Sequence, residues 1–245
     1  MKIVTWNLHG SARPDLDAVA RTLRSIGPDL VGLQEVQPWQ ARRLATTLGW
    51  NHRWARKHLP YGPLVWWRAE GLALLSPGPI HDHERVVLNP GTPSWSYRRR
   101  IVQRAMLGGP DGGAVRCYNT HLASHDAPAD RSAQAAVIAR LIDGEDSGVR
   151  RTAVLTGDLN AADEPTTLEP FVHLGLRDSW PPAQGPGDTN PAGAVRQRLD
   201  YVLVGEDWTP TEAVVPTDGP GWARLSDHLP VVVTLAPGLA SPPDY

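Results

Sequence analysis

The chain has 245 residues, 41% of them hydrophobic, which suits one large domain, α/β or sandwich, or two small ones, with enough apolar residues for a sizeable core. Its 24 basic and 26 acidic residues leave a formal net charge of −2, which excludes a global pull toward nucleic acid or an anionic membrane and leaves that task to local basic patches. Cys117 is the single cysteine, so an internal disulfide and a thiolate metal cluster are both excluded, and the residue reads as small core filler.

Residues 2–6 are short and β-rich, a strand. The apolar run stops at Trp6 and Asn7, short of the roughly 7–15 apolar residues of a signal peptide, and no window approaches the roughly 18 of a membrane span. The expectation is a soluble, cytoplasmic protein. Leu16, Val19, Ala20, Leu23 and Ile26 follow at helical spacing, with Asp15 as cap and Gly27-Pro28 as stop. Residues 29–36 are an apolar run, so a buried strand. Residues 38–49 open on proline and close on glycine, so a helix. Strands are expected at 64–68, 71–75, 84–88, 101–107 and 114–120. The second half repeats the plan: a helix over 128–142 with Ala133, Val137, Ile138 and Leu141 on one face, a strand at 152–157, a short helix at 166–175, and strands at 200–204 and 230–235. Residues 181–193 are a loop by their Pro, Gly, Asp and Asn content. Two strand–helix–strand halves with hairpins predict two packed sheets with helices outside. No composition shift divides the chain, so residues 1–236 are expected to form one domain and 237–245 a frayed tail.

The strands share one peculiarity at their ends. The first runs into Asn7, the second into Gln34 and Glu35, the strand at 114–120 into His121, and the strand at 152–157 into Asp158 and Asn160. Asp200 opens one late strand, and Asp227 and His228 stand just before the other. Taken singly, each has a plain structural reading: Asn7 a turn residue, Glu35 a helix cap, Asp158 and Asn160 an Asx-turn, His121 and His228 satisfied histidines. Their joint recurrence shifts the balance. Carboxylates inside core strands are costly without partners, whereas at strand ends they converge on one rim of a sandwich. An oxygen-rich cage of this kind suits Mg²⁺ or Mn²⁺ better than Zn²⁺, and two histidines beside it supply proton transfer near neutral pH. In an extended chain, Asp158 and Asn160 would point the same way and address one ligand.

The segments TWNLHG, LQEV, GLALLS, NTHLAS, TGDLNA, RLDYVLV and LSDHLPVVV, in this order over residues 3–235, resemble the endonuclease/exonuclease/phosphatase superfamily, the deoxyribonuclease I-like proteins. The resemblance implies a four-layer α/β sandwich of two packed mixed sheets flanked by helices, and a metal-dependent phosphoester hydrolase. It implies Glu35 as the main metal ligand with Asn7 and Asp227 helping. It implies Asp158 and Asn160 on the phosphate and attacking water, and His228 on the scissile phosphate or as base with Asp200 holding its ring. His121 would serve as general acid or phosphate ligand. His121 stands where apurinic-site endonucleases carry tyrosine, and Pro77 where many members carry arginine.

Substrate contacts are expected in two basic and aromatic stretches, 50–68 with Trp66 and Trp67, and 94–104 with Arg98, Arg99 and Arg100. Arginine beside tryptophan grips phosphate and stacks on bases, though tryptophans as core filler and solvated arginines are the competing reading. The function expected is a phosphodiesterase acting on nucleic acid, with Mg²⁺ or Mn²⁺ as cofactor. The rivals are hydrolysis of a small phosphorylated metabolite or phospholipid head group, and a catalytically silent binding module on the same scaffold.

Overall fold

The computed structural model describes residues 1–59, 69–108, 113–162, 164–217 and 221–238. The expected strand at 64–68, residues Trp66 and Trp67, and nearly all of the tail lie outside them. The elements are β1 (Lys2–Asn7), α1 (Leu16–Ile26), β2 (Leu30–Val36), α2 (Pro38–Leu48), β3 (Asn51–His58), β4 (Glu70–Ser76), β5 (Ile80–Val87), β6 (Ile101–Gly108), β7 (Ala114–His121), α3 (Pro128–Asp143), α4 (Ser147–Arg151), β8 (Val154–Asp158), α5 (Pro165–Val172), β9 (Arg177–Asp178), β10 (Asp200–Val204), β11 (Trp208–Val214), α6 (Trp222–Leu225) and β12 (Val231–Pro237). They form two six-stranded sheets, ordered β11-β12-β1-β2-β4-β3 and β5-β6-β7-β8-β10-β9. Within each sheet one central pair is parallel, β1 with β2 and β7 with β8, and the other pairs are antiparallel.

The central strands read as unbroken apolar runs because both of their faces are covered. Ile3, Leu30, Leu74, Cys117, Val154 and Val202 face one another between the sheets. Their neighbours Val4, Val31 and Ala73 pack on α1 and α2. Tyr118, Leu155 and Leu203 pack with residues of α3 and α5, including Ala135, Ile138 and Phe171. The four layers are therefore helix, sheet, sheet, helix, as the sequence implied. Close approach of the sheets needs Gly32: a Cβ there would come within 2.2 Å of Thr156 Oγ1.

Three differences from the expected elements are informative. Strand β3 has the sequence NHRWARKH, too polar to announce itself, because it is an edge strand with an alternating exposed face. Strand β11, at the far edge of the same sheet, escapes for the same reason. Helix α3 is rotated from the expected face: Ala133 is exposed, and Arg131 and Gln134 are buried beside Ile138. Their side chains hold the loop that leaves β7, Gln134 Oε1 accepting from Ala123 N at 2.9 Å and Arg131 Nη1 donating to Ser124 O at 2.7 Å.

Among the described residues no helix is long and apolar enough to cross a membrane.

Candidate active site

The gap between the sheets is tiered. Below is the apolar core. Above it lies a buried polar belt, in which Gln34 Nε2 donates to Asn119 Oδ1 (2.7 Å) and Thr5 Oγ1 (3.0 Å), and Asn119 Nδ2 donates across the gap to Leu33 O and Ala73 O. At the rim, two residues further along their strands, stand Asn7, His121 and Asp158, with Asp200 at the start of the antiparallel β10. The period of two in a strand forces this, since residues 5 and 7, 119 and 121, or 156 and 158 share a face. Register lines up His121 with Asp158 and Asp158 with Asp200 on three neighbouring strands.

Glu35 is the exception that a strict alternation would aim away from the gap, because Gln34 already points into it. A bulge between Leu33 and Val36, with Glu35 at φ 55°, turns its carboxylate back to the rim. Left-handed backbone at a residue other than glycine costs about 1 kcal/mol or more, and such strain concentrates at functional sites. Asn160 is left-handed as well, at φ 50°. The strand ends at Asp158, so the expected extended path to Asn160 is not found. Instead Asp158 Oδ1 accepts from Asn160 N at 3.0 Å, an Asx-turn, and Asn160 Nδ2 reaches Leu122 O at 3.3 Å.

Asn7 joins the two sheets. Its Nδ2 donates to Glu35 Oε1 at 3.1 Å and to Asp158 Oδ2 at 3.0 Å. On one side of this bridge Glu35, Glu70 and His121 offer ligand atoms within 4.8 Å of one another; on the other side Asp158, Asp200 and His228 do the same. His228 Nδ1 lies 2.7 Å from Asp200 Oδ2, which also accepts from Thr189 Oγ1 at 2.6 Å. His228 Nε2 faces Asp158 Oδ2 at 3.8 Å, and His121 Nε2 faces the same oxygen at 3.6 Å. Asp227 stands apart from both groups, half exposed, with His9 Nδ1 at 3.3 Å.

The electrostatics separate the two histidines. Burial lowers the pKa of His228, but the charge and hydrogen bond of Asp200, with Asp158 and Asp227 behind them, outweigh it and hold the ring at about 10. Burial pushes His121 well below the usual imidazole value, and the nearby charges of Lys57, Arg100 and His228 push the same way. Burial raises Asp158 to about 7, with Asp200 adding to the shift while His228 and the Asn7 hydrogen bond oppose it. Glu35 is also raised, by burial and then by the charge of Glu70.

Two carboxylates, Glu35 and Asp158, each raised by burial and by a neighbouring carboxylate, in a rim whose donors are oxygens and imidazoles, fit a hard divalent cation, which would relieve that repulsion. His121 Nδ1 adds a buried atom with no hydrogen-bond partner among the described residues, 3.7 Å from Glu35 Oε1.

Glu70 and Thr189 were not foreseen, and Lys57 only as one basic residue of the stretch 50–68. Lys57 Nζ is buried and pairs with Glu70 Oε1 at 2.5 Å. The rule that polar residues sit at strand ends would have found Glu70, which opens β4, whereas Lys57 is the last residue but one of β3, an edge strand that does not announce itself. Thr189 lies in an irregular loop and carries no such signal. Of the expected substrate residues, Arg98 is exposed, Arg99 binds Thr92 O at 2.6 Å, and Arg100 is buried. Arg100 donates to the carbonyls of Leu122 (2.9 Å), Tyr97 (2.7 Å) and Arg99 (3.3 Å), so it ties a loop to the rim.

Two face-packed mixed sheets with an acidic, histidine-flanked rim are the architecture of a class of phosphoester hydrolases. Residues 4–228 match the Endonuclease/Exonuclease/phosphatase family, and the chain belongs to that family of metal-dependent phosphoester hydrolases. No curated protein matches it in sequence. In structure it is similar to an endonuclease/exonuclease/phosphatase from Beutenbergia cavernae, with 23% identity over 97% of this chain and 72% of that one and a TM-score of 0.75. It is also similar to a mannosyl-6-phosphatase from Bacteroides thetaiotaomicron (21% identity, 96% and 99% covered, TM-score 0.75) and to the catalytic domain of human Nocturnin with bound sulfate (19% identity, 96% and 94% covered, TM-score 0.76).

Proposed function

We propose that the chain is a phosphodiesterase that cleaves nucleic acid with Mg²⁺ or Mn²⁺, its catalytic domain spanning residues 1–236. The observation that carries the reading is the single hub at Asp158, whose carboxylate meets Asn7, His121 and His228 around one rim. Glu35, with Asn7 and Glu70 beside it, would hold the cation, which supplies charge to the phosphate oxygens and lowers the pKa of water. Asp158, with its pKa near 7, is suited to take a proton from the attacking water. His228 remains an imidazolium at neutral pH, fixed by Asp200, and offsets negative charge gathering on the phosphate. Asn160 keeps the Asp158 carboxylate oriented through its backbone N–H. His121, neutral by its pKa, is a hydrogen-bonding ligand for the phosphate or leaving group. Asp227 is left as an outer contributor to the metal side through His9.

A second reading, a phosphatase for a small phosphorylated metabolite, is favoured by the two buried cations Lys57 and Arg100 beside the rim, which suit a dianionic monoester. The structural neighbour named as a mannosyl-6-phosphatase is consistent with it. A panel with Mg²⁺ or Mn²⁺ separates them: single-stranded and duplex DNA, RNA, bis-p-nitrophenyl phosphate, p-nitrophenyl phosphate, a sugar phosphate and sphingomyelin. Cleavage of polynucleotide supports the first reading. Turnover confined to monoesters replaces it with the second.

A further inference from the structure

Five large hydrophobic side chains are exposed among the described residues, and two of them, Trp95 (64%) and Tyr97 (66%), stand on one short segment between β5 and β6. That segment is held firmly. Asn89 Nδ2 donates to Arg98 O at 2.8 Å and Asn89 Oδ1 accepts from Arg100 N at 2.8 Å, while Arg99 closes onto Thr92 O. Leu59 N donates to Ser94 O, anchoring the segment to the end of β3. These bonds hold the segment in place without any help from the two rings, which stay exposed.

The segment is also wired to the rim. Arg100 Nη1 holds Tyr97 O while its Nε holds Leu122 O, the carbonyl that also receives the Asn160 amide. Leu122 directly follows His121. Arg98, fully exposed, lies 5.8 Å from the centre of the Tyr97 ring and donates to its hydroxyl. A rigid pair of exposed aromatics with an exposed guanidinium, beside a phosphate site, matches what stacks bases and tracks a strand: flat apolar faces for the base and a cation for the backbone.

We propose that Trp95, Tyr97 and Arg98 form a base-stacking platform, which makes a base-bearing single strand the preferred polymer; this rests on the nucleic-acid reading above. The test uses the full chain with Mn²⁺, a single-stranded oligonucleotide and an abasic strand of the same length. The wild type should cleave the base-bearing strand at least roughly tenfold more efficiently in kcat/KM, the scale of one or two stacked bases. Trp95→Ala with Tyr97→Ala should erase that preference through a raised KM with kcat nearly unchanged, and Trp95→Phe with Tyr97→Phe should retain it. Equal cleavage of both strands by the wild type, or a preference that survives in the double alanine variant, overturns the platform while leaving the nucleic-acid reading intact. Hydrolysis of neither strand, with a sugar phosphate turned over, overturns both.

Discussion

The two groups on either side of Asn7 each hold two carboxylates and a histidine, and their histidines are held in different charge states. In one, Asp200 touches His228 at 2.7 Å and the ring is held as an imidazolium. In the other, the carboxylate oxygens nearest to His121 lie at 3.6 and 3.7 Å, Lys57 and Arg100 are close, and the ring is held neutral. The Lys57–Glu70 contact draws one carboxylate toward a lysine, and Glu35 is left raised by burial and by Glu70. Under the proposed function, the difference corresponds to two tasks. The side of Glu35 pairs a carboxylate raised by burial with a neutral imidazole, and both can ligate a cation. The side of His228 already carries its positive charge and suits handling of protons and phosphate charge.

Each task can be broken separately. The largest effect is expected from Glu35→Gln, which should lower Mg²⁺- or Mn²⁺-dependent kcat by about 10³ or more while leaving the thermal melt unchanged or slightly raised, because a carboxylate held out of its normal range is removed. Steady-state kinetics with a calorimetric melt checks both parts. Undiminished turnover in the variant, or wild-type turnover in excess chelator, would remove the metal role.

On the opposite side, His228→Ala should lose about 10³ in kcat/KM and Asp200→Asn about 10 to 10². The double variant should be little worse than His228→Ala, since the two act as a unit. Strict additivity of the two free-energy losses would dissolve the dyad.

The next effect is on stability. Glu70→Gln strands the buried Lys57 charge and should destabilise the fold by about 3 kcal/mol. Adding Lys57→Met should recover most of that loss in denaturant titrations. No recovery would mean that the pair is not the reason for the loss.

The smallest expected effect is in pH. The pKa of His228 in the fold, about 10, lies above the free value of 6.5, so its contribution is complete below pH 6.5 and fades as pH rises through 10. In chelator, the melting-temperature gap between wild type and Asp200→Asn should be a few degrees below pH 6.5 and close toward pH 10. A gap that widens with pH would reverse the assigned charge.

Much of this was legible in the sequence because strands buried on both faces read as apolar runs, and their polar ends then stand out. Asn7, Glu35, His121, Asp158, Asp200 and His228 were all visible in that way. Edge strands obey a different pattern, so β3 and β11 were not seen, and with β3 the place of Lys57 beside the rim was missed. The bulge at Glu35 was hidden because alternation alone puts Gln34 inward, and nothing in LQEV announces a left-handed residue. The left-handed Asn160 was hidden likewise, and with it the Asx-turn that replaces an extended chain. The rotated face of α3 was hidden because Arg131 and Gln134 are buried for the hydrogen bonds they make to a loop, which hydrophobic periodicity does not register.

The division of labour between the two sides is tested most directly by calorimetric titration of Mn²⁺ into the wild type, Glu35→Gln and Asp200→Asn at neutral pH. The wild type and Asp200→Asn should bind with closely similar affinity, and Glu35→Gln should bind at least roughly tenfold more weakly. Wild-type affinity in Glu35→Gln, or an equal loss in Asp200→Asn, would contradict the assignment of the cation to the Glu35 side.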